Sequence, residues 1–267
     1  MNSRGSVHRM GPLARDIDCW VLDLDGVVWL ADQVIPGASE AVELLRSGGK
    51  RVIFATNNSS ATLGEQVAKL ASFGIQAVGD VVTSAQAAAC LLEPGMSAIA
   101  CAGPGVVEAL EVQGVKVLDS GPVDAVVVGF HTNFDYARLS AAHRAVDAGA
   151  RLIGTNDDPT YPTPDGPTPG GGAILAAVAT AVGVVPEVAG KPYAPMANLV
   201  RSMLGNDVSI AMVGDRPSTD GSFATALDAA FVLVLSGVTT QIDDELYPVP
   251  DLICDDLLSL AKKVAWR

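Results

Sequence analysis

Cys19-Trp20-Val21-Leu22-Asp23-Leu24-Asp25-Gly26-Val27-Val28 is an apolar run that ends in two carboxylates, one residue apart, followed by a glycine. Four apolar residues closed by a turn signal predict a strand buried on both faces, as in a parallel sheet. Ligands of open α/β sheets bind outside the carboxyl ends of the strands, and Asp23 and Asp25 lie at such an end. Delivering neighbouring negative charges from a buried strand is costly unless a cation or a reaction requires them. Alone, the pattern is weak, because an ordinary turn after a strand reads the same way.

Outward from this stretch, strand and helix alternate along the 267 residues. Helices are predicted over 38–46, 62–73, 85–92 (with Ser84 as N-cap), 106–111, 136–148, 173–182, 195–204, 222–229 and 256–264. Strands are predicted over 52–55, 81–82, 97–101, 115–118, 125–128, 151–154, 210–213, 231–235 and 252–254. Such alternation implies right-handed crossovers and a doubly wound parallel sheet. Residues 157–172 hold five prolines and four glycines, and read as a long loop that is functional or a domain border.

Composition narrows the chemistry. A net charge of -13 argues against nucleic acid as a partner, since phosphate backbones call for basic surface. It also obliges any phosphorylated substrate to meet a local cation. Cys19, Cys90, Cys101 and Cys254 form no Cys-x-x-Cys pair and three of them sit inside apolar runs, which fits reduced, buried thiols. No apolar stretch approaches the ~20 residues of a membrane span. Residues 1–15 carry Arg4, His8, Arg9 and Arg15 without the apolar segment of a signal peptide. The expectation is a soluble, cytoplasmic protein with no membrane partner.

Three more islands strengthen the first. Phe54-Ala55-Thr56-Asn57-Asn58-Ser59-Ser60 ends a strand with hydroxyl and amide groups, which suits either a plain helix cap or an oxyanion site. Gly190-Lys191-Pro192 holds a lysine in apolar surroundings, though an isolated lysine is more often solvated surface. Ala211-Met212-Val213-Gly214-Asp215-Arg216-Pro217-Ser218-Thr219-Asp220 is again a buried strand ending in carboxylates. Neighbouring strands lie about 4.8 Å apart, so these ends can share one site. Clustered carboxylates repel unless a hard cation sits among them, and oxygen-only ligation fits Mg²⁺.

The four islands, in this order, resemble the haloacid dehalogenase superfamily, and most closely its cap-bearing branch of nucleotide, 4-nitrophenyl and phosphoglycolate phosphatases. Val128-Gly129-Phe130, Gly154-Thr155-Asn156-Asp157 and Pro169-Gly170-Gly171-Gly172 resemble the cap insertion of that branch. The resemblance implies a Rossmann-like core over 16–84 and 186–267, with an inserted α/β cap over 85–185. It implies a Mg²⁺-dependent phosphomonoesterase that works through an aspartyl-phosphate. In that scheme Asp23 is the nucleophile and Asp25 the general acid and base. Thr56, Asn57 and Asn58 hold the phosphoryl oxygens, helped by Lys191, which also balances charge at Asp23. Asp23, Asp25 (through its carbonyl), Asp215 and Asp220 hold the metal. Phe130, His131 and Tyr161 are the candidates for substrate selection, each with a plain packing role as the alternative. His143 and Arg216 read as surface.

Two positions depart from the branch. His131 stands where an aspartate often follows Val-Gly-Phe, and Gly221 where a branched apolar residue is common. Gly-x-Ser-x-Gly and Gly-x-x-x-x-Gly-Lys-Ser/Thr are absent, and no cysteine has an arginine six positions later, so a serine hydrolase elbow, a phosphate-binding P-loop and a cysteine phosphatase do not fit. A strand-rich insertion also disfavours a phosphomutase. The remaining alternative is a binding or regulatory protein on the same fold. The substrate stays open among sugar phosphates, glycerol phosphate, phosphoglycolate and nucleoside monophosphates. Capped relatives are commonly homodimers, but the sequence does not fix the oligomeric state.

Overall fold

The computed structural model describes residues 17–163, 166–205, 207–242 and 246–265. The arginine-bearing segment 1–15 lies outside them. By internal contacts the chain forms two compact units, one of residues 1–55, 73–80 and 201–267, the other of residues 56–72 and 81–200.

The first unit is built on parallel strands in the order Leu252–Cys254, Ala230–Val234, Ile210–Gly214, Cys19–Leu22 and Arg51–Thr56. All four residues of Cys19–Leu22 are buried, as are all five of Ile210–Gly214, which explains why neither strand shows polar alternation. From Cys19–Leu22 the chain passes first to Arg51–Thr56 on one side and later returns to Ile210–Gly214 on the other. Strand order therefore reverses between Cys19–Leu22 and Ile210–Gly214, and such a switch point opens a crevice at the carboxyl ends. The helices Ala38–Ser47 and Leu257–Ala265 pack on one another. Gly37, at φ 83°, lets the first of them begin hard against Leu258.

The second unit carries its own parallel sheet, ordered Glu187–Val188, Arg151–Gly154, Ala125–Val128, Ser97–Cys101 and Lys116–Val117. Helices Tyr136–Asp147 and Gly171–Val182 close one core, in which Val126, Val128, Leu152, Ala142, Val146 and Leu175 are buried together. Ser84–Ala89 packs on Pro104–Val112. Among the described residues, no helix is long and apolar enough to cross a membrane.

Three local expectations are corrected. Residues 157–172 are not all loop: Thr160–Thr163 and Gly166–Pro169 pair antiparallel, with Pro162 opposite Pro167. Proline cannot donate to a sheet ladder, so a proline-rich strand is legible only as a loop, and it survives here because the ribbon has just two strands. The cap of the 84–89 helix is Thr83, whose hydroxyl accepts from Gln86 N–H (3.2 Å) while Gln86 Oε1 accepts from Thr83 N–H (2.9 Å). Ser84 is already helical and donates to Asn57 O instead (2.9 Å). Finally, Cys90 is exposed, whereas Cys19, Cys101 and Cys254 are buried. Burial pushes the Cys19 thiol up to about 12 and Cys101 to about 11.

Candidate active site

In the first unit, Asp23 leaves its strand level with Gly214, and its N–H donates to Val213 O (2.9 Å). Its Oδ1 accepts from the next N–H, that of Leu24 (2.8 Å), which fixes the carboxylate at the strand end. The chain then coils tightly: Val28 N–H reaches Leu24 O (2.9 Å), and Gly26 N–H reaches Trp29 O (2.7 Å). This turn needs a positive φ at Gly26, observed at 83°. Asp25 lies inside the turn, its Oδ1 accepting from Trp29 Nε1 (3.1 Å).

Asp215 follows Gly214 and is 4% exposed. Its Oδ2 accepts from Val238 N–H (2.5 Å). A Cβ at Gly26 or at Gly237 would collide with this carboxylate, so two glycines leave the space that it occupies. Asp220 is delivered by a π-helical turn, Pro217–Gly221, and its Oδ2 accepts from Arg216 N–H (3.1 Å). Such turns are rare and often functional, because they re-aim a side chain that an α-helix would carry elsewhere. Asp23, Asp215 and Asp220 each bring a carboxylate oxygen within 4.8 Å of the other two. Three like charges this close in buried surroundings suit a hard divalent cation taking oxygen ligands. Asp25 contributes no side-chain oxygen to that group, being turned to Trp29.

The other candidates lie in the second unit. Thr56, 1% exposed, accepts from Asn58 N–H (3.0 Å) and keeps its own hydroxyl proton for donation. Asn58 Oδ1 accepts from Ser60 N–H (3.0 Å), and its Nδ2 lies 3.4 Å from Tyr161 Oη. Lys191 is 2% exposed, so it is not the solvated lysine of the plain reading. Its main chain is held by Asn57: Lys191 N–H donates to Asn57 Oδ1 (2.8 Å), and Asn57 Nδ2 donates to Lys191 O (3.0 Å). The same Nδ2 donates to Asp158 Oδ2 (2.8 Å).

Of the three substrate-selection candidates, two meet. Phe130 and Tyr161 stack at 5.1 Å with 20° between their planes. His131 turns elsewhere: its Nδ1 is 2.9 Å from Gly129 O, and its ring stands edge-on to Phe134. His131 is 5% exposed and its Nε2 has no partner among the described residues. Burial holds its imidazole below the usual range, against the opposing pull of the Gly129 carbonyl. Asp158 and the 237–238 backbone are functional neighbours that the sequence reading passes over. Neither carries a local signal, since both matter only through partners distant in sequence.

Comparison with known proteins follows the same lines. Family models described as "Haloacid dehalogenase-like hydrolase" and "HAD-hyrolase-like" match residues 20–116 and 188–260. D-glycerol 3-phosphate phosphatase of Mycobacterium tuberculosis is 38% identical over 94% of this chain and 73% of its own. Acid sugar phosphatase of Staphylococcus saprophyticus is 36% identical over 88% of this chain and 93% of its own. Among solved structures, 4-nitrophenylphosphatase of Thermotoga maritima aligns with TM-score 0.87 and 33% identity, covering 94% and 99% of the two chains. Glycerol phosphate phosphatase of M. tuberculosis in complex with magnesium aligns with TM-score 0.84 and 34% identity, covering 94% and 79%.

Proposed function

The chain belongs to the haloacid dehalogenase-like hydrolases and is a phosphatase, and from that premise we propose that it hydrolyses a small sugar phosphate or glycerol phosphate through an aspartyl-phosphate on Asp23. One observation carries the reading: Asp23, Asp215 and Asp220 converge at the strand switch point with oxygens within 4.8 Å. The two relatives described as D-glycerol 3-phosphate phosphatase and acid sugar phosphatase support the substrate class.

The donor set is all oxygen and buried, and it fits Mg²⁺. Asp23 and Asp215 would hold the ion with the Asp25 carbonyl, and Asp220 would order its water shell. When bound, such an ion offsets the charge of the carboxylates and of the incoming phosphate. The chemistry belongs to the chain's own residues. An Asp23 carboxylate oxygen attacks phosphorus and the bond to the ester oxygen breaks. Asp25, entering as the acid, gives its proton to the leaving alkoxide, with Trp29 fixing its orientation. Asp25 then takes a proton from water as the water oxygen attacks phosphorus. The bond from phosphorus to Asp23 breaks, phosphate leaves and the carboxylate is restored. The Thr56 hydroxyl, the Asn57 and Asn58 N–H groups and Lys191 hold the phosphoryl oxygens. In this assignment residues 16–84 and 186–267 form the catalytic core and residues 85–185 the cap. Phe130, His131 and Tyr161 belong to substrate selection.

Phosphate release from glycerol phosphate, sugar phosphates, phosphoglycolate and nucleoside monophosphates, with Mg²⁺ and with EDTA, tests the reading. The expected result is metal-dependent release, highest on the first two groups and absent in Asp23→Asn, whose amide cannot attack phosphorus. Asp25→Asn should slow turnover about 10²–10⁴-fold. Release that persists in Asp23→Asn would overturn the nucleophile assignment. A folded chain that binds Mg²⁺ yet releases nothing from any ester would point to a binding protein.

A further inference from the structure

The Asn57 side chain has no donor left for a phosphate. A primary amide carries two N–H bonds on Nδ2, and here they face Asp158 Oδ2 (2.8 Å) and Lys191 O (3.0 Å). Its Oδ1 takes Lys191 N–H (2.8 Å). The amide orientation follows from these partners, since the flipped form would set its oxygen against a carboxylate and a carbonyl. One side chain thus grips both polar groups of a single residue's backbone, as a neighbouring strand would. Gly190 makes the approach feasible: a Cβ there would lie 2.6 Å from Asn57 Oδ1. Asn57 is itself pinned, its carbonyl accepting from Ser84 Oγ (2.9 Å) and Asn156 Nδ2 (2.8 Å). Four segments distant in sequence therefore meet at one residue.

We infer that Asn57 is a positioning residue for Lys191, and that Asp158 anchors the Asn57 amide in the orientation that grips it. The inference rests on the reading of Lys191 as the phosphate-facing cation. Lysine reaches its ammonium through a flexible four-carbon stem, so where Nζ lies depends on how firmly the backbone beneath is held. A misplacement of about 1 Å at a catalytic group can cost about 10²-fold in rate. Within this arrangement Asn57 contributes its main-chain N–H to phosphate and its side chain to Lys191.

A double-mutant cycle on 4-nitrophenyl phosphate tests this, because its good leaving group keeps residual turnover measurable. Asn57→Ala should lower kcat/KM by roughly 10–100-fold, the range for losing a partner that orients an active-site group. In a Lys191→Met background the same change should cost no more than about twofold, because the group that it orients is gone. Asp158→Ala, should Asn57→Ala fail to fold, is expected to give a smaller loss that likewise vanishes beside Lys191→Met. An equal loss in both backgrounds would overturn the inference, since Asn57 would then act independently of Lys191. So would native kcat/KM in Asn57→Ala. Native turnover in Lys191→Met would overturn the assignment of Lys191 itself, and the positioning role with it.

Discussion

At the scale of single residues, one of the two departures from the family pattern has a structural cause. Gly221 stands where a side chain would meet the Phe231 ring at 2.9 Å and Pro248 at 3.1 Å. The aromatic ring already fills that volume, so a branched residue would overpack the site. His131 is buried with its Nδ1 on the Gly129 carbonyl and its Nε2 unpartnered among the described residues, and burial disfavours its protonation. Its folded pKa is depressed, so the unfolded chain binds the proton more readily. Stability from this group is therefore complete above the unfolded value of about 6.5 and is lost as pH falls through it toward the folded value. His131→Asn keeps a donor for the Gly129 carbonyl but cannot titrate. Urea midpoints of this variant are expected to fall less than native between pH 7.5 and 5.5 (about one unit either side of that value). Parallel curves would remove His131 as the source of acid sensitivity.

At the scale of elements, the first strand was fully legible. An unbroken apolar run predicts burial on both faces, and residues 19–22 are buried throughout. The start of the helix at 84–89 was legible only to within one residue. Thr83 and Ser84 are both good caps by type, and the choice between them depends on which hydroxyl finds a distant partner. Ser84 finds Asn57 O, which leaves Thr83 to close the box with Gln86. Thr83→Val keeps the shape and removes the acceptor, so it should cost about 1 kcal/mol in urea unfolding at unchanged slope. The proline hairpin at 160–169 was illegible, because a ladder with Pro162 opposite Pro167 violates the residue preferences by which strands are recognised.

At the scale of the whole molecule, the acidic chain concentrates like charge where function needs it. Asp215 and Asp220 are 4% and 1% exposed, so their mutual repulsion is poorly screened by solvent. A divalent cation that binds the folded chain alone adds stability by mass action, about 2.7 kcal/mol at a concentration of 100 times Kd. The thermal midpoint is therefore expected to rise with Mg²⁺, return on adding EDTA, and respond far less in Asp215→Asn. A midpoint indifferent to Mg²⁺ in the native chain would remove the ion from the proposed chemistry.

By itself the sequence determined the alternation of strand and helix, the carboxylates at strand ends, and the hydroxyl-amide run and lysine that accompany them. These are legible because burial periodicity and turn chemistry are local properties of a chain. Only the tertiary structure decided that Asp23, Asp215 and Asp220 share one cluster while Asp25 turns to Trp29. It also decided that Asn57 grips Lys191, that Asp158 joins it, and that Phe130 meets Tyr161 while His131 does not. Each of these depends on how strands pair and on where a glycine leaves room for another segment. No local pattern encodes the meeting of Asp23 with Asp215 or of Asn57 with Lys191, because its energy exists only once residues more than a hundred positions apart are in contact.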